Sequence, residues 1–93
     1  MNAPSTSSRV RRIVGDVLAA DPPSDDTDLI EEGYIDSLAL VETILALEGE
    51  FGVSLPLEEV DVDDFRSIAS IAMLVEALSA GQARLRLAER GQA

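Results

Sequence analysis

Apolar residues recur at steps of three and four in three stretches of this 93-residue chain, and the one alternating fragment, Val53-Ser54-Leu55, is too short to argue for a sheet. That period lines one face of a helix, so an all-α fold is expected. Val10, Ile13, Val14, Val17 and Leu18 set a first helix from about Ser8 to Ala20, closed by Pro22-Pro23 because proline supplies no backbone donor. A second helix begins at Asp36 or Ser37, whose short oxygen-bearing side chains suit a cap, and continues to about Phe51, where Gly52 stops it. A last one starts near Ser67, buries Ile68, Ile71, Val75 and Leu78, and ends at Gly81. Between them, Leu57 to Phe65 carries Val60, Val62 and Phe65 among acids and fits one or two short helical turns. The sum is a small four-helix bundle, three main helices plus one short helix, over residues 8–81. Residues 1–7 are expected to form a flexible N-terminus and residues 82–93 a C-terminal tail, either helical or disordered.

A chain of this size buries only about 60% of the surface it exposes when unfolded, and no cysteine is present to staple it. Its core must therefore be small and helical. A long loop from Pro22 to Asp36 interrupts that economy, with Leu29, Ile30, Tyr34 and Ile35 as apolar anchors among Asp, Glu, Ser, Thr and Gly. Loops of this length in compact domains tend to be functional, which directs attention to its end.

The missing residue types exclude most chemistry. With no His, Cys or Lys, the chain cannot build a Ser-His-Asp triad, a Cys-His pair, a Schiff base, a phosphate loop ending in Gly-Lys-Ser/Thr, or a zinc site of imidazoles and thiolates. Asp61-Val62-Asp63-Asp64 opens like a calcium loop but has Arg66 at the sixth position and Ala72 at the twelfth, so that motif fails and no metal site is expected. A two-carboxylate hydrolase needs more scaffold than this. An enzyme is not expected.

Net charge is −11, and between Arg12 and Arg66 sixteen carboxylates stand with no Lys or Arg among them. Such a field disfavours nucleic acid and anionic membrane surfaces and favours basic partners. The polar start, Met1 to Ser8, has no apolar run of the signal-peptide kind, and no stretch approaches a membrane span, so a cytoplasmic monomer is expected. Within the acidic interval lies Ile35-Asp36-Ser37-Leu38. With no base to take its proton, Ser37 is poorly placed as a nucleophile and better placed to be modified.

The second helix is too apolar to serve only as a core cover. Leu40, Ile44, Leu47 and Phe51 form one narrow stripe that is expected to face the core; Leu38, Val41 and Leu45 form another, displaced by roughly a third of a turn and flanked by Glu42 and Glu48. A wide buried face would account for both stripes. A docking surface with a greasy centre and an acidic rim would account for the second one together with Ser37 at its head.

Gly33-Tyr34-Ile35-Asp36-Ser37-Leu38, entering a helix after a long loop, resembles the Asp-Ser-Leu attachment motif of the acyl and peptidyl carrier proteins. The resemblance continues through Val41-Glu42, Leu47-Glu48, Glu50-Phe51-Gly52, Pro56 and Asp64-Phe65-Arg66-Ser67-Ile68, covering roughly Leu18 to Leu78. It implies that a phosphopantetheinyl transferase attaches 4′-phosphopantetheine to Ser37 as a phosphodiester, and that the arm's thiol carries an acyl or aminoacyl group as a thioester. It implies a partner-facing surface at Asp36, Leu38, Val41, Glu42, Leu45 and Glu48, with Phe65 an apolar position near the arm. It also implies further partners: an adenylating ligase or acyltransferase, and downstream biosynthetic enzymes with basic docking surfaces. Ala39 and Gly49 depart from fatty-acid carriers, which commonly have acids there. Gly-aromatic-Ile-Asp-Ser-Leu looks more like the freestanding carriers paired with adenylating ligases, D-alanyl carriers and those of natural-product pathways among them. The alternative is an acidic helical interaction module, an inhibitor or nucleic-acid mimic, that binds a basic partner without modification.

Overall fold

A computed structural model describes residues 5–79 and has three α-helices: α1 Thr6–Leu18, α2 Ser37–Phe51 and α3 Ile68–Ser79. Two 3-10 turns, Leu57–Glu59 and Val62–Phe65, stand where one or two short helical turns were expected. No strand occurs among the described residues. The stop expected at Gly81 and the tail 82–93 lie outside them.

α1 starts two residues earlier than the periodicity suggested. Ser5 caps it, its hydroxyl accepting from the Ser8 amide at 3.1 Å, so Thr6 and Ser7 are helical. The helix also ends before the prolines act: Ala19 turns left-handed at φ 51°, and the Ala19 and Ala20 amides both donate to the Gly15 carbonyl. Pro22 is instead a packing residue with its side chain fully buried. α2 begins and ends as expected, with Asp36 as its cap and left-handed Gly52 as its stop.

α1 packs on both α2 and α3 and is the element common to the core. Val10 and Val14 from α1, Ile44 and Leu47 from α2, and Ile68, Ile71, Ala72 and Val75 from α3 are buried there. Leu40, Phe51 and Leu78, expected inside, are partly buried at its margin. Leu29 from the long loop and Phe65 from the second 3-10 turn are fully buried, so both irregular segments are anchored by hydrophobic burial.

Arginines fasten the elements to one another. Arg9 donates to the Glu50 carboxylate at 3.1 Å and carbonyl at 3.3 Å and lies 4.2 Å from the centre of the Phe51 ring, which holds α1 to the C-terminal end of α2, where a cation suits the helix dipole. Arg11 donates to Asp21, the Pro22 carbonyl and Asp25, tying the start of the loop to α1. The Ala69 amide donates to the Asp25 carbonyl at 2.9 Å, so α3 holds the same point from the other side.

Candidate functional site

From Asp28 onward the loop is organised by backbone bonds. Asp28 accepts from the Ile30 and Glu31 amides at 3.1 and 2.9 Å, folding the chain into the turns that follow. Gly33 sits at φ +81°, a conformation that side chains disfavour. The Leu29 carbonyl then accepts from two amides, Tyr34 at 2.8 Å and Ile35 at 3.0 Å, and Ile35 turns its side chain into the core. The next residue is Asp36. Ser37 therefore follows a segment fixed by burial and hydrogen bonds at both ends.

Asp36 is extended, and its carboxylate accepts from the Ala39 amide at 2.8 Å while its carbonyl accepts from Leu40 at 2.9 Å. Ser37 is the first residue of α2 and is exposed. By helix geometry the Ser37 and Leu38 amides have no acceptor within the helix, and the Asp36 cap leaves them untouched by claiming Ala39. A phosphodiester on the Ser37 hydroxyl fits this place: the oxygen is accessible, the helix end favours an anion, and two donors lie within the first turn. Asp36 takes the third of the donors that the sequence alone would have offered to the phosphate.

Down the exposed side of α2, Leu38 is 68% accessible, Val41 38% and Leu45 62%, so the second stripe faces solvent rather than the core. Glu42 is exposed beside it. Glu48 is engaged differently: its carboxylate accepts from the Leu55 amide at 2.7 Å and closes the turn after α2. Phe65 is a correction. It was expected at the partner surface near the arm, but its side chain is 0% exposed in the core; within the same turn it is Val62, 50% exposed, that meets solvent. The turn holds two apolar residues, Val62 and Phe65, and a segment this short carries no repeat that tells which of them is inward.

Arg66, to which the sequence analysis gives no separate role, contacts the same loop. Its guanidinium reaches Asp63 at 3.0 Å and Asp28 at 3.1 Å, and its carbonyl accepts from the Leu29 amide. Hydrogen bonding to the Glu31 amide, together with the charge of Arg66, holds the Asp28 carboxyl below the usual carboxylate range. The signal was its isolation, since it is the only cation between Arg12 and Arg84.

Among the described residues no cluster of three or more acidic, His or Cys side chains could hold a metal ion, and no helix is long and apolar enough to cross a membrane.

Comparison with known proteins places this geometry in a family. The family model described as "Phosphopantetheine attachment site" matches residues 8–78. The D-alanyl carrier protein of Lactococcus lactis subsp. cremoris strain MG1363 is 43% identical over 51 residues, 55% of this chain and 65% of that protein. The D-alanyl carrier protein of Streptococcus pyogenes serotype M5 strain Manfredo is 40% identical over 53 residues, 57% of this chain and 67% of that protein. The chain thus spans about two thirds of the length of these relatives. With its capped helix, exposed serine and matched segment, the chain belongs to the phosphopantetheine attachment family.

Proposed function

We propose that this chain is a freestanding carrier on which Ser37 receives 4′-phosphopantetheine from a phosphopantetheinyl transferase. The observation that carries the reading is the exposed Ser37 hydroxyl at the head of α2, between the Asp36 cap and exposed Leu38, inside the segment that matches the family. When bound, the arm supplies the thiol that holds cargo as a thioester, a function for which this chain has no cysteine of its own. The protein's share is presentation: it fixes where the arm starts and offers a surface to each enzyme in turn.

Cargo is an acyl or aminoacyl group loaded by a separate adenylating ligase or acyltransferase. Likeness to the D-alanyl carrier proteins favours the ligase and an aminoacyl cargo. Partners dock on Asp36, Leu38, Val41, Glu42 and Leu45. Support comes from the exposure of all five. Ala39, Gly49 and the diverted Glu48 make this surface more apolar than an acidic recognition helix, so apolar contact carries the affinity and the chain's charge chiefly speeds encounter.

The test is transfer of a fluorescent phosphopantetheine from labelled coenzyme A by a broad-specificity phosphopantetheinyl transferase. Wild-type protein takes the label and Ser37→Ala does not. A protein that merely bound a basic partner would stay dark in both forms.

A further inference from the structure

We propose that Arg66 is a positioning residue for the chemistry at Ser37, holding in place the loop whose last residues present that serine. The proposal rests on the carrier reading above. Arg66 lies 29 residues beyond Ser37 in sequence but connects to it through a short relay. Its Nη1 donates to both Asp28 oxygens, at 3.1 and 3.4 Å, and its Nε to Asp63 at 3.0 Å. Its carbonyl accepts from the Leu29 amide, and the Leu29 carbonyl accepts from Tyr34 and Ile35, immediately before Asp36 and Ser37. One residue thus grips the loop twice, by side chain at Asp28 and by backbone at Leu29.

The acidic surroundings make the side-chain grip matter. Asp28 is partly exposed and Asp63 exposed, and the Arg66 guanidinium bridges the two carboxylates. Among the described residues no other cation pairs with Asp28 or Asp63. Leu29 and Ile35 remain apolar and still favour the core, so the fold survives while the loop spends part of its time released. A partner that needs Ser37 in its fixed place then meets a competent fraction smaller than one, and its apparent affinity falls by that fraction with the chemical step unchanged.

The experiment uses full-length apo protein, coenzyme A and a broad-specificity phosphopantetheinyl transferase, with kcat and KM for the carrier measured separately. Arg66→Ala raises KM about three- to tenfold and leaves kcat near the wild-type value, as a competent fraction of about one third to one tenth requires. Arg66→Lys falls between the two, because an ammonium group cannot fork to two carboxylates as a guanidinium does. Asp28→Asn keeps an acceptor for the Ile30 and Glu31 amides but loses the ion pair, and raises KM similarly. The double variant is no worse than Arg66→Ala alone, since both changes act through one contact. Amide exchange at Tyr34 and Ile35 quickens in every variant while α1 keeps its protection.

Wild-type KM in Arg66→Ala overturns the proposal, as does unchanged exchange at Ile35 or a fully additive double variant. Should Arg66→Ala fail to fold by far-ultraviolet circular dichroism, Asp28→Asn decides on the same criteria. Failure of the carrier reading looks different: the wild-type protein itself takes no phosphopantetheine, and this proposal falls with it.

Discussion

The Glu48 carboxylate accepts a 2.7 Å hydrogen bond from the Leu55 amide, which turns the last acid beside the exposed stripe of α2 into a brace for the following turn. Leu45, one turn earlier on the same helix, is 62% exposed and braces nothing. The two residues therefore separate stability from docking. Glu48→Ala lowers stability by about 1 kcal/mol, the usual net worth of such a bond, with little change in the transferase KM. Leu45→Ala leaves the melting temperature nearly unchanged, as surface changes do, and raises KM. Thermal melts and transferase kinetics on both variants check the pair.

Two glycines in the last turn and C-cap of α2 respond oppositely to the same methyl group. A Cβ at Gly49 or at Gly52 would meet nothing within 4 Å, so only the backbone distinguishes them. Gly49 lies within the helix, and Gly49→Ala stabilises by about 0.5–1 kcal/mol. Gly52 sits at φ +66°, and Gly52→Ala destabilises by about 1 kcal/mol or more. Urea midpoints of the two variants should move in opposite directions.

Thr43 is fully buried on α2 with its hydroxyl unpartnered. An orphan hydroxyl in a core costs free energy that a methyl of the same shape does not. Thr43→Val raises stability by about 1 kcal/mol, or about 4–8 °C in a domain of this size. Differential scanning calorimetry reads it directly.

Acid weakens the contacts of Asp28 only below the usual carboxylate range. The Glu31 amide and the Arg66 charge lower this carboxyl's pKa in the folded state. A lowered folded pKa means that the stabilisation is complete above the unfolded value, about 3.9, and is lost as pH falls through the folded one. Arg66 stays charged throughout. The stability gap between wild type and Asp28→Asn is thus constant near neutrality and closes below about pH 4, as urea titrations across that range would show.

What the sequence discloses about this fold depends on whether a residue's role is local. α2 is legible from end to end because Asp36 and Gly52 act on their own helix, through a side-chain cap and a left-handed stop. α1 is less so: Ser5, Thr6, Ser7 and Ser8 are all plausible caps, and the stop is Ala19, a residue type with no preference for the left-handed region. The core stripe of Ile44 and Leu47 is legible on the helical wheel, whereas whether Leu38, Val41 and Leu45 widen the buried face or meet solvent is decided only by the packing. Phe65, Glu48 and Arg66 escape sequence reading for one shared reason. Each is defined by a contact outside its own regular helix, Arg66 with Asp28 38 residues away, Glu48 with the Leu55 amide beyond the end of α2, and Phe65 with the core under a 3-10 turn, and such contacts leave no periodic mark.

Locating the modification tests the central claim most directly. The full chain is incubated with coenzyme A and a broad-specificity phosphopantetheinyl transferase, digested, and the fragment ions of the peptide containing Ile35-Asp36-Ser37-Leu38 are read by tandem mass spectrometry. The account predicts one phosphopantetheine per chain, carried on Ser37 and on no other hydroxyl. A chain left unmodified beside a carrier that is modified in the same tube, or one modified at a different serine, contradicts it.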